Sequence, residues 1–146
     1  MKNSQKIREI WGEAFRPPES LTVWEHAAKH VNLSKKISSF PGFYDPDFNP
    51  MLNVIMHFLG SNSAVEKTVL TKGTQCGGTL VVFLFNAWVG NNSPDPVMIV
   101  TSDEDERDEY SGKLNEILRC CETLRPKLKN LQRKSKLELV QIPGSQ

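Results

Sequence analysis

The sequence predicts an α/β domain with a mostly parallel sheet of about three strands, flanking helices and an N-terminal helical extension. Three observations carry this. Segments of strand character at 65–71, 97–100 and 137–142 alternate with helix-forming stretches, and such alternation gives parallel strands joined by crossovers. A loop of small residues, 72–79, joins the first of these segments to a long apolar run. Residues 1–60 instead carry helical periodicity and turn signals, which sets them apart as the extension, with 61–146 as an incomplete core in one structural unit.

The first helix is predicted over 3–15, where Ile7, Ile10, Trp11, Ala14 and Phe15 fall on one helical face and Pro17-Pro18 stops it. Thr22 and Glu25 have the spacing of a capping box, opening a helix whose apolar face is Trp24, Ala27, Ala28 and Val31. Residues 32–49 read as irregular, with Pro41-Gly42 and Asp45-Pro46 as turns. Asn49-Pro50 starts the next helix as cap and first helical residue, and Gly60 closes it. Val81 to Phe85 has strand propensity, but the run Leu80–Val89 is long for a strand and follows a glycine-rich turn. A helix ending at Gly90 and buried on all sides is the better expectation. Ser102 is placed to cap a long charged helix with Tyr110, Leu114, Ile117, Leu118 and Cys121 inward, ending near Pro126.

Composition bounds the function. The chain has 146 residues, 18 basic and 17 acidic, and 38% apolar content, enough for one domain. A net charge of +1 argues against a strongly basic nucleic-acid binder. No apolar run is long enough to span a membrane, and the N-terminal stretch lacks the apolar core of a secretory signal. Three cysteines, Cys76, Cys120 and Cys121, form neither a disulfide framework nor a metal pattern.

The loop Lys72-Gly73-Thr74-Gln75-Cys76-Gly77-Gly78-Thr79 lies between a predicted strand and a predicted helix, where backbone N–H groups and a helix N-terminus can converge on one anion. Against the common pattern of Gly, four residues, Gly, Lys, Ser or Thr, residues Gly77 and Thr79 fit. Gly78 stands where the lysine belongs and Lys72 where the first glycine belongs. Thr79 could offer its hydroxyl to magnesium, and Lys72 could fold back toward the β/γ phosphates. Glycine-rich strand-to-helix turns are common, so the loop alone favours an ordinary turn over a nucleotide site.

More than the loop matches a family. From about Leu21 to Ser145 the chain resembles the large terminase subunit of tailed bacteriophages, in its lambda-like (GpA-like) group of DNA-packaging ATPases. The resemblance is carried by Trp24-Glu25-x-Ala27, by Pro41-Gly42-Phe43-Tyr44, by Asn49-Pro50-Met51-Leu52 with Val54-Ile55-Met56, by Val69 to Thr79 against "VVMKGAQVGKT", by Asp95 to Val100, and by Leu124-Arg125-Pro126. In that family the loop is a P-loop, and some members similarly lack the late lysine while keeping an early basic residue. The resemblance implies a partial P-loop NTPase fold that binds ATP and Mg2+, with Lys72 on the β/γ phosphates, Gly73, Thr74, Gln75, Cys76, Gly77 and Gly78 cradling them, and Thr79 on magnesium. It further implies double-stranded DNA, a small terminase subunit and the procapsid portal as partners, in the bacterial host cytoplasm. The family's acidic and coupling motifs and its nuclease domain are expected beyond Gln146, so this chain by itself is not expected to turn over ATP.

Other signals read more plainly. Asp103 and Glu104 after Val97–Val100 suggest a metal-binding acidic pair, but Thr101 and Ser102 intervene and acids favour a first helical turn. His26 and His30 share a helix face without an evident third ligand, which predicts a solvated or half-buried face. Cys76 reads as a loop filler and Arg125 to Lys136 as a solvated basic connection. Trp11, Trp24 and Trp88 are expected in the core. The alternative function is a non-catalytic interaction module with a degenerate P-loop, a partner or inhibitor of an intact terminase. Bare sheet edges predict self-association or a larger partner.

Overall fold

The computed structural model describes residues 7, 8, 11, 12, 19–60, 63–93 and 95–128. In chain order the described elements are α1 (Val23–His30), β1 (Asn32–Leu33), β2 (Gly42–Phe43), α2 (Pro50–Phe58), α3 (Gly78–Asn92) and α4 (Glu104–Cys120). Residues 7, 8, 11 and 12 are helical, but Trp11 is 59% exposed and is not a core residue.

The apolar run forms helix α3, and burial explains why strand propensity loses. Phe83, Leu84, Ala87 and Trp88 are all buried, and each large apolar side chain removed from water contributes about 2 kcal/mol, against about 1 kcal/mol for the whole range of strand propensity. α1, α2 and α4 all pack on α3. The helix is not enclosed on every side, since Val82 is 39% exposed. Nor does Gly90 end it: Gly90 lies inside the last turn, and Ser93 is the C-cap, its N–H donating to the Val89 carbonyl. The core supplied by α1, α2, α3, α4 and Leu124 is continuous across residue 60.

α1 opens with the capping box that Thr22 and Glu25 predict. The Glu25 N–H donates to Thr22 Oγ1 (3.4 Å), while Thr22 N–H and hydroxyl donate to Glu25 Oε2 (2.8 and 2.6 Å). Those bonds from Thr22 lower the Glu25 carboxyl below its ordinary value. The stretch before α1 is tied to the far end of α3: Trp88 Nε1 donates to the Leu21 carbonyl (2.7 Å) and Asn92 Nδ2 to the Glu19 carbonyl (2.8 Å). After α1, the Glu122 N–H donates to the His30 carbonyl (2.9 Å), and Val31 pairs with Cys121 in an isolated antiparallel bridge.

The sheet departs from expectation. β1 and β2 pair antiparallel, with Asn32 opposite Phe43 and Leu33 opposite Gly42, inside the segment read as irregular. Two-residue strands carry too little alternation to be read from sequence, and Gly42 at φ +129° makes the tight entry to β2. Behind it Tyr44 is buried, its hydroxyl donating to Asn53 Oδ1 (2.9 Å); burial first, then the Asp45 charge, pushes the phenol up to about 12. Segments 65–71 and 97–100 form no ladder among the described residues and leave Val69 and Val100 largely exposed. A strand exists only with a partner, and the third expected strand, 137–142, lies outside the described residues, as do most of the 3–15 helix and most of the basic run. The three-strand parallel sheet is therefore not seen among the described residues.

α4 begins one residue later than predicted. Asp103, not Ser102, is the N-cap, its Oδ1 accepting the Glu106 N–H (2.8 Å), while the Ser102 hydroxyl donates to Glu106 Oε2 (2.7 Å). The helix ends at Cys120 rather than near Pro126; Ile117, Leu118 and Cys121 are buried and Cys120 sits at the boundary.

Candidate functional site

Residues 72–77 form an exposed turn that delivers the chain into α3, with Gly77 as N-cap. Two backbones take the left-handed region, Gln75 at φ +58° and Gly77 at φ +78°. For Gln75 this costs on the order of 1 kcal/mol, so the turn is held in a strained path. Gly77 is required twice over, because a Cβ there would also stand 2.9 Å from Leu52 Cδ1 on α2. Leu52 thereby braces the end of the loop, a role its place on the buried face of α2 did not reveal.

The glycine at 78 does something different. A Cβ on it would collide with Lys72 Cδ and stand 2.6 Å from Lys72 Cε. The Lys72 stem therefore crosses directly over the start of α3, in the space that a side chain at 78 would fill. Gly78 is what leaves room for that stem. The Leu70 side chain lies beside the same spot, its Cδ2 3.4 Å from that Cβ position.

Among the described residues no backbone acceptor takes the N–H groups of Gly73, Thr74, Gln75, Gly77 or Gly78, whereas the hydrogen-bonded turn at 74–75 engages the Cys76 N–H; α3 adds the free donors of its first turn. No acidic residue stands in that turn. Among the described residues the Cys76 thiol bonds only to the Thr74 carbonyl (3.4 Å), in keeping with a loop filler. Thr79 is half-buried and its hydroxyl lies 3.5 Å from the Tyr110 hydroxyl on α4. Tyr110 packs edge-on against Phe83, ring centroids 5.6 Å apart. Sequence reasoning placed Tyr110 only on the inner face of its helix; its polar tip was the available signal. Asp103 is engaged as the α4 cap, as the acid-in-first-turn reading expects. The site thus unites Lys72, Gly78, Thr79 and Tyr110, a cationic stem and a hydroxyl beside a row of open amides. Such an arrangement suits an anion bearing a cation.

The two histidines do not make a comparable site. Their ring centroids are 5.1 Å apart, and His30 Nε2 is 3.6 Å from Glu19 Oε2. His26, expected on a solvated or half-buried face, is fully buried, with neither ring nitrogen hydrogen-bonded. Its helix turns it inward beside Val23 and Ala27, and burial first, then the His30 charge, pushes it down to about 4. No cluster of three or more metal-ligating side chains occurs among the described residues.

The family model of the phage terminase large subunit gpA, ATPase domain, matches residues 38–145. No curated protein and no solved structure matches the chain. The family match runs through α2, the 72–79 loop, α3 and α4, so the region that holds the open amides and the folded-back lysine is the region the family model describes. The chain belongs to the family of phage terminase large subunit gpA ATPase domains, whose general role is DNA packaging.

Proposed function

We propose that the chain binds ATP-Mg2+ at the 72–79 loop, a deviant Walker A, as the N-terminal part of a DNA-packaging motor. The observation that carries this is the Lys72 stem laid across Gly78, which brings a cation from the start of the loop to the beginning of α3, where the common pattern has its lysine. In this reading the N–H groups of Gly73, Thr74, Gln75, Cys76, Gly77 and Gly78 receive phosphate oxygens, Lys72 faces the β/γ phosphates, and Thr79 turns its hydroxyl to the metal. Magnesium, when bound, neutralises charge on the β and γ oxygens. The strained Gln75 supports a path shaped for a ligand rather than for the fold alone.

The same reading makes residues 1–60 a helical extension of an ATPase core that starts at 61. In that core, 65–71, 97–100 and 137–142 are strands of a P-loop-type parallel sheet. Double-stranded DNA, the small terminase subunit and the procapsid portal are the partners of the whole machine, working in the bacterial host cytoplasm.

Calorimetric titration with ATP-Mg2+ tests it. Weak binding is expected, reduced about tenfold or more by Lys72→Ala, since a charge-assisted phosphate contact is lost. No heat at millimolar nucleotide from folded protein would retire the proposal. One observation favours a second reading, a non-catalytic module acting on an intact terminase: Asp103, the first acid after 97–100, is committed to capping α4. A magnesium-dependent ATPase rate from this chain, lost in Lys72→Ala, would count against that alternative.

A further inference from the structure

The contact between Thr79 and Tyr110 has no place in the loop pattern, and it joins two elements. Thr79 is the second residue of α3, and Tyr110 lies on α4, whose start the Asp103 cap fixes. The Tyr110 ring is held by its edge-on contact with Phe83, itself buried. Its hydroxyl therefore reaches Thr79 Oγ1 from the α4 side, at 3.5 Å. A threonine hydroxyl has one proton and two lone pairs. If it is to give a lone pair to a cation, its proton needs an acceptor elsewhere, and that proton becomes more acidic once the oxygen is coordinated.

On the nucleotide reading above, on which this rests, we propose that Tyr110 is a positioning residue for Thr79. Its phenol oxygen accepts the Thr79 hydroxyl proton and leaves the Thr79 lone pairs facing the loop, toward the magnesium of a bound nucleotide. The 3.5 Å separation is that of a loose bond in the ligand-free protein, one that tightens when coordination polarises the hydroxyl. Tyr110 itself touches neither nucleotide nor metal.

The test compares wild type, Tyr110→Phe, Thr79→Ala and the double variant, measuring ATP affinity by calorimetry with magnesium and with chelator. Phenylalanine keeps the ring against Phe83 and removes only the hydroxyl. Tyr110→Phe should reduce the gain in affinity that magnesium gives by roughly three- to tenfold, the worth of one neutral hydrogen bond, and leave magnesium-free affinity unchanged. Thr79→Ala should abolish that gain, and Tyr110→Phe should add nothing to it. The chain has two tyrosines, so in a 3-fluorotyrosine-labelled sample the resonance missing from Tyr110→Phe identifies Tyr110. That resonance should move with ATP-Mg2+ and not with ATP alone. A full magnesium gain in Tyr110→Phe, an equal loss with and without metal, or an unmoved resonance would overturn the inference while leaving nucleotide binding intact. Wild type that binds ATP under neither condition would instead remove the nucleotide reading, and this inference with it.

Discussion

His26 is the residue whose chemistry is most at odds with its surroundings. Both ring nitrogens are buried without a partner among the described residues, and the ring stays neutral in the folded protein down to about 4. In the unfolded chain it takes a proton near 6.5. Its folded value is depressed, so its contribution to stability is complete above about pH 6.5 and is lost as pH falls toward 4. The loss is on the order of 3 kcal/mol over that window. His30 reinforces the depression and Glu19 opposes it. Denaturant unfolding between pH 4.5 and 7.5 should show the decline, and His26→Leu, close in volume and free of polar atoms, should flatten it and add about 1 kcal/mol at neutral pH. An unchanged slope in His26→Leu would mean another group governs the acid limb.

The two adjacent glycines make a second contrast at this scale. Gly77→Ala has both a left-handed backbone and Leu52 against it, and should cost about 1–2 kcal/mol of stability in thermal or denaturant unfolding. Gly78→Ala collides with the flexible Lys72 stem and reaches Leu70 Cδ2 only at contact distance, so it should leave stability within about 0.5 kcal/mol while weakening nucleotide binding by displacing the ammonium. Had both roles been purely structural, both variants would lose stability together.

Among the elements, α4 tests what the acids after 97–100 are for. Asp103 accepts the Glu106 N–H, so Asp103→Ala should destabilise by about 1 kcal/mol while Asp103→Asn, also a good N-cap, stays near wild type. A carboxylate serving a metal would instead make Asn as damaging as Ala in a magnesium-binding assay. The same helix shows how far sequence reading reaches. The Thr22–Glu25 box, Asn49-Pro50 at the start of α2 and the inner face of α4 were legible because each depends on residues within a turn of one another. The cap of α4 slipped by one residue because Ser102 and Asp103 are both good caps, and only the bond from the Glu106 N–H to Asp103 Oδ1 decides between them. β1 and β2 were not legible, since their pairing depends on Gly42 and on Val31 meeting the Tyr44 N–H across the chain. Of the candidate site, the place of the glycine-rich loop at the start of α3 could be read from sequence. Leu52 and Tyr110 could not, because they come from other helices.

At the scale of the whole molecule, the N-terminal part supplies cover for the apolar helix α3. α1 packs on α3, and the Trp88 and Asn92 bonds to residues 19–21 fasten it there. What remains bare is different: Val69 and Leu70 before the loop, and Met98 and Val100 before α4. These segments have strand character and no ladder among the described residues, a combination that favours association. Light scattering should find a species larger than a monomer at high concentration, with binding of a hydrophobic dye. Val69→Lys together with Val100→Lys should reduce both. A sharp monomer without dye binding in the wild type would show that these segments are covered after all.

The folded-back Lys72 also gives the loop an asymmetric stiffness. Its far side is a fifteen-residue helix with a packed core behind it, and its near side is a run of exposed residues fastened chiefly by one lysine stem and the Leu70 methyl. An anion that draws the ammonium toward itself must therefore tighten or release the run that precedes it, so that occupancy is written into the backbone upstream of the site. Amide hydrogen exchange would register this as a nucleotide-dependent change in protection spreading from 72–78 back into 65–71, with the middle of α3 unaltered. The strand-like run would then serve as the readout of the loop, transmitting the state of the ligand to whatever lies against it.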